Sequence, residues 1–104
     1  MKDVENIKSP AFPCGNLTAG ENGHLLFAGR DTEALAQKYQ TPLYLLDEKR
    51  IRHNCRVYLD AFKKYYPAGS LPLYASKAAS FKRIYQIVGE EGMGIDVVSA
   101  GEIY

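Results

Sequence analysis

Apolar residues recur along this chain at two spacings, and the clearest run follows Asp47. There Ile51, Cys55, Tyr58, Leu59, Phe62 and Tyr66 fall at steps of 4, 3, 1, 3 and 4, the spacing of one helical face. Asp47 stands where an N-cap acceptor is wanted, and Pro67 and Gly69 close the run. A second amphipathic helix is expected from Ser80, with Phe81, Ile84, Tyr85 and Val88 at i, i+3, i+4 and i+7 and a glycine-bearing stretch at 89–92 supplying its C-terminal turn. Short apolar runs of strand type flank that helix. One covers residues 71–75, with Pro72 near its start where a missing donor does least harm, and the other covers 95–98. Strand, helix, strand in that order predicts a βαβ unit with parallel strands and a right-handed crossover.

The remaining segments are less periodic. Residues 1–23 carry Pro10, Pro13, Gly15, Gly20 and Gly23 among polar positions, which predicts an irregular arm. Residues 24–47 form a leader with a short strand at 24–27. In it Asp31 caps a helix lined by Ala34, Leu35 and Tyr39, Pro42 stops that helix, and Leu43-Tyr44-Leu45-Leu46 reads as a further strand. At the other end Ser99-Ala100-Gly101-Glu102 has capping-box spacing, in which a serine hydroxyl and a glutamate carboxylate satisfy the first amides of a new helix. Only Ile103 and Tyr104 follow, so the sequence is expected to stop in mid-element. Residues 48–104 therefore read as an α/β segment.

Composition narrows the function classes. With 104 residues, 46% of them hydrophobic, the chain has material for one small domain at most. The 13 Lys+Arg balance 12 Asp+Glu to a formal charge of +1, which argues against the basic footprint of a nucleic-acid binder. The densest basic stretch, 49–56, interleaves Lys49, Arg50, Arg52 and Arg56 with Ile51, His53, Asn54 and Cys55, as on the wet side of an amphipathic helix. No run approaches the ~20 apolar residues of a bilayer span, and Asp3 and Glu5 stand where a signal peptide is apolar. A cytoplasmic protein without membrane contact is expected. Cys14 and Cys55 lack the spacing of a zinc or redox pair and read as reduced thiols; no metal site is expected. His24 and His53 stand singly and read as surface residues.

Two positions carry candidate chemistry. Lys77 follows the strand at 71–75 and has Ser76, Ala78 and Ala79 as small neighbours. A lysine at the carboxyl end of a parallel strand projects into the crevice where α/β proteins bind ligands. Partly desolvated, it becomes a nucleophilic amine able to form a Schiff base; the structural alternative is a lysine that ends a strand and reaches into water. Asp96 lies inside the apolar run Ile95-Asp96-Val97-Val98, where a carboxylate needs a partner, and alternation sets Asp96 and Val98 on one side. An inward Asp96 is placed to pair with Lys77; a strand-end carboxylate in water is the alternative. Gly92-Met93-Gly94 lacks the third glycine of a dinucleotide fingerprint and precedes a strand, so helix termination explains it.

These same residues carry a family resemblance. Tyr74-Ala75-Ser76-Lys77-Ala78, followed by the stretch from Glu90 to Tyr104 with its Asp96-Val97-Val98-Ser99-Ala100-Gly101-Glu102 motif, resembles the N-terminal part of the diaminopimelate decarboxylases, pyridoxal-phosphate enzymes built on an alanine-racemase-like barrel. Residues 23–48, including Thr41-Pro42-Leu43-Tyr44, are similar to the leader of that family. The resemblance implies an α/β fold, with 48–104 as the start of a pyridoxal-phosphate-binding (β/α)8 barrel of about 250 residues. It implies that Lys77 is the catalytic lysine holding the cofactor as a Schiff base, and that Asp96 and Glu102 line the cofactor pocket. It further implies decarboxylation of meso-diaminopimelate to L-lysine, an amino-acid substrate and a homodimer of the full-length enzyme. Ala79 stands where the family commonly has Asn. The family's residues that stack on the ring, cradle the phosphate and bind substrate lie beyond the matched positions. The residues taken alone also leave open a non-catalytic α/β module, or a related pyridoxal-phosphate decarboxylase acting on another amino acid.

Overall fold

The computed structural model describes residues 14–103. The chain divides into two compact units, one ending at Asp47 and one beginning at Glu48.

The first unit is a three-stranded antiparallel sheet in the order β1 (Leu17–Ala19), β2 (Leu25–Phe27), β3 (Arg30–Asp31), followed by helix α1 (Thr32–Tyr39). Its turns follow from local chemistry. Between β1 and β2 the Asn22 side chain accepts from the His24 amide at 3.0 Å, while Gly23 adopts φ 81°. The β2–β3 hairpin has Ala28 and Gly29 as its two loop residues, both at positive φ (51° and 77°). That sign pattern belongs to the primed turns, whose twist suits a hairpin. Asp31 caps α1 as expected, its carboxylate accepting from the amides of Glu33 and Ala34 at 2.9 and 3.3 Å. The helix ends at Gln40, ahead of Pro42.

Three expectations for this unit are corrected. Strand β1 lies inside the stretch expected to be irregular; the rest of that expectation, residues 1–13, falls outside the described residues. Residues 43–46 are not a strand: Tyr44 is 92% exposed and, among the described residues, no neighbour supplies the ladder that an apolar run needs. His24 is not a free surface residue but half-buried, with Nδ1 2.8 Å from Asp31 and Nε2 3.3 Å from Glu33.

The second unit is built from α2 (Glu48–Tyr65), β4 (Leu73–Ala75), α3 (Lys82–Glu91) and β5 (Gly94–Asp96). Strands β4 and β5 are parallel, with Tyr74 opposite Ile95 and Ala75 opposite Asp96, so β4, α3 and β5 form the expected βαβ unit. Gly92 ends α3 in the left-handed region at φ 94°, and the amides of Gly92 and Met93 return to the carbonyls of Gly89 and Val88. This is a Schellman closure, which is why glycine stands there. Helix α3 begins at Lys82 rather than Ser80, because the Ser80 hydroxyl donates to the Ser76 carbonyl instead of capping, and Phe81 is left exposed.

Cys55, Ile84 and Val88 form the core of this unit, with Ile51, Tyr74, Ala79, Met93 and Ile95 packed around them. Burying each such aliphatic side chain is worth about 1.5–3 kcal/mol. Tyr58 and Tyr66, expected on the same buried face of α2, remain more than half exposed. The basic stretch is not simply a wet face either. Arg52 is held between Glu48, Glu90 and Glu91 at 2.8, 2.5 and 2.9 Å, Arg56 bonds Glu91 at 2.8 Å, and Arg83 reaches Glu48 at 2.7 Å. These pairs clamp α2 to α3.

Candidate active site

Because Tyr74 and Ile95 pack into the core, alternation turns Leu73, Ala75 and Asp96 to the opposite face of the sheet, where all three are exposed. At the carboxyl end of β4 the chain enters a single 3₁₀ turn, Ser76–Ala78, which makes Lys77 the second residue beyond the strand pair. Its side chain is exposed and, among the described residues, makes no ion pair.

The turn beneath Lys77 is fixed at three points. Ser76, fully buried, donates its hydroxyl to the Glu102 carboxylate. The Ser76 carbonyl accepts from the Ser80 hydroxyl at 2.8 Å, and the Ala79 carbonyl accepts from the Tyr74 phenol at 3.1 Å. Burial pushes the Tyr74 phenol above its ordinary pKa, so it remains the proton donor this bond requires. Sequence reasoning missed Ser76, Ser80 and Tyr74. The spacing Ser76…Ser80 was the available signal, since a serine hydroxyl readily returns to the carbonyl four residues back.

Glu102 sits in the turn Ala100–Glu102 and is 8% exposed. One oxygen takes the Ser76 hydroxyl; the other accepts from the Val98 amide at 3.0 Å and the Ser99 hydroxyl at 2.9 Å. These donors, Ser76 foremost, hold its pKa below the usual glutamate value against the opposing effect of burial. The expected capping box is therefore only half made. The Ser99 hydroxyl donates to the carboxylate rather than accepting from an amide, and the Glu102 amide goes to the Ser99 carbonyl at 3.2 Å. Asp96 ends β5 opposite Ala75 and forms no ion pair with Lys77. Of the two acids, the structure ties Glu102 to the lysine turn and leaves Asp96 at the strand end.

A cavity of about 540 Å³ lies between α2 and β4, lined by residues such as Ile51, Cys55, Phe62, Leu73 and Val88. The groove is mainly apolar; Lys77, Asp96 and Glu102 do not line it, but Ala75 and Ala78, on either side of the lysine, do.

A lysine exposed at a parallel strand end, on a turn pinned by one buried and two half-buried hydrogen bonds and with Ser76 and Ala78 as its neighbours, suits covalent capture of a carbonyl compound. The family described as "Pyridoxal-dependent decarboxylase, pyridoxal binding domain" matches residues 48–104, and the chain belongs to that family. Its relatives narrow the class to one kind of enzyme. Diaminopimelate decarboxylase of Synechocystis is 40% identical over 94% of this chain and 22% of its own length, and that of Methanothermobacter thermautotrophicus is 45% identical over 89% and 21%. The crystal structure of diaminopimelate decarboxylase from M. jannaschii in complex with L-lysine superposes with a TM-score of 0.73 at 33% identity, over 86% of this chain and 21% of that one. The chain thus spans about a fifth of the length of the relatives it matches.

Proposed function

We propose that this chain supplies the lysine-bearing section of a pyridoxal-phosphate-dependent decarboxylase that converts meso-diaminopimelate to L-lysine and carbon dioxide, with Lys77 as the cofactor lysine. The observation that carries the reading is the exposed, unpaired Lys77 on its pinned turn at the end of β4, inside the segment that matches the pyridoxal-binding family. The residues present fit the cofactor, because among the described residues no carboxylate engages the amine and its side chain is exposed, with small residues at 75, 76, 78 and 79. Pyridoxal phosphate, when bound, supplies the electron sink for the charge left behind by a departing carboxylate. Lys77 would hold the cofactor covalently through Nζ, the one nucleophilic amine on the pinned turn. Asp96 ends β5 opposite Ala75, at the same carboxyl end of the strand pair as the lysine turn. A homodimer and a cytoplasmic setting belong to the same reading. No helix among the described residues is long and apolar enough to cross a membrane.

The test joins this chain to the remainder of the Methanothermobacter relative, in place of that relative's matching segment. Borohydride reduction in the presence of pyridoxal phosphate, followed by peptide mapping, should place the pyridoxyl group on Lys77, and the joined protein should release lysine from meso-diaminopimelate. Lys77→Ala should lose the adduct and lower turnover roughly 10²–10⁴-fold, the range of a lost proton-transfer group. An adduct on any other lysine, or undiminished turnover in Lys77→Ala, overturns the reading.

A further inference from the structure

Glu102 is an unusual carboxylate for a residue so close to a ligand-facing strand end. Both oxygens accept from protein donors and the side chain is 8% exposed, so little of it is open to a bound molecule. What it does reach is informative. The residue it holds on one side, Ser76, is itself fully buried and is the immediate neighbour of Lys77. The groups it holds on the other side belong to the segment leaving β5.

We propose that Glu102 is a positioning residue for Lys77: it holds the Ser76 hydroxyl on one side and the 98–99 segment on the other, and so fixes the turn from which the amine projects. This rests on the reading of Lys77 as the cofactor lysine, and it replaces the expectation that Glu102 lines the cofactor pocket. The geometry accounts for the choice of residue. An ionised carboxylate accepts from all three donors at once, whereas a glutamine at 102 accepts with one end only. The Val98 amide cannot reverse its role, but the Ser76 hydroxyl can rotate and accept. Gln at 102 therefore keeps both sides of the pin in weakened form, and Ala loses them. Ser76 contributes nothing to a ligand surface, being fully buried, so any effect of its removal on the cofactor must pass through the turn.

The test uses the joined holoenzyme described above. Unsubstituted protein is first mapped by borohydride reduction; an adduct absent from Lys77 at this step overturns the reading of Lys77, and the positioning role with it. With the adduct at Lys77 established, Glu102→Ala and Ser76→Ala are each expected to raise the cofactor dissociation constant and lower kcat by roughly 10- to 100-fold, the range of one lost charge-assisted hydrogen bond. Substrate KM is expected to stay within about threefold, and Glu102→Gln is expected to fall between the parent and Glu102→Ala. The double variant should be no worse than the worse single one, because both remove the same link. A role confined to stability would lower the unfolding midpoint and leave cofactor affinity and kcat of the folded fraction at parent values; that result overturns the proposal. Additive effects in the double variant overturn it equally. Should Glu102→Ala fail to fold, Ser76→Ala and Glu102→Gln decide by the same two measurements.

Discussion

His24 carries more than its place near the surface suggested. Its ring lies between Asp31 and Glu33, and the Asp31 hydrogen bond, against some desolvation, holds the imidazole above its ordinary pKa of 6.5. Asp31, which also caps α1, is correspondingly held below its ordinary value of 3.8. The signs follow from linkage. The His24 contribution is fully present below the unfolded pKa of 6.5 and is lost as pH rises through the higher folded value. The Asp31 contribution is present above its unfolded value of 3.8 and is lost as pH falls through the lower folded one. The pair should therefore stabilise the first unit most between those two ordinary values. NMR titration of the His24 ring should give a midpoint above 6.5, and Asp31→Asn should bring it down; an unchanged midpoint in Asp31→Asn would remove Asp31 as the cause. Such a pairing was not legible beforehand, because it depends on the primed turn at Ala28-Gly29 bringing Asp31 back beside His24.

At the level of elements, helices were the readable part. The apolar stripe of α2, the Asp31 cap and the Gly92 stop are local signals, each contained within a turn or two of chain. Strands were less readable, since a three-residue strand such as Leu17–Ala19 exists only through its pairing with Leu25–Phe27, and residues 43–46 have the composition of a strand without a partner. Lys77 was legible as a strand-end lysine; the pin beneath it was not, because Ser76 and Glu102 meet across 26 residues. Packing predictions belong here. Ile84→Ala should cost about 2–5 kcal/mol by opening the core around Cys55 and Val88, measured by chemical denaturation. Gly92→Ala should cost about 1–2 kcal/mol through its left-handed backbone alone. Arg52→Gln should lower the unfolding midpoint at low salt and do so less at high salt, because screening already weakens the clamp there.

For the molecule as a whole, the second unit covers only one face of its sheet. Leu73 and Val98 are 58% and 70% exposed, and the groove between α2 and β4 is apolar. Surfaces of this kind seek cover. The 104-residue chain by itself should therefore bind a hydrophobic dye and self-associate at high concentration, seen by light scattering, and joining it to the remainder of a relative should suppress both. Leu73→Lys should reduce the association while changing stability by no more than about 0.5 kcal/mol, as expected of an exposed position.

The link from Ser76 to Glu102 also sets an order in time. A ribosome delivers the lysine before it delivers the acid that steadies it, and residues 78–101, with all of α3 and β5, must be made in between. Until the segment beyond β5 has docked, the turn that carries the amine is held only by its local bonds, Ser80 to Ser76 and Tyr74 to Ala79. The third and only buried tether of that turn is thus acquired when the whole βαβ unit has closed, so the lysine turn matures with that unit rather than ahead of it.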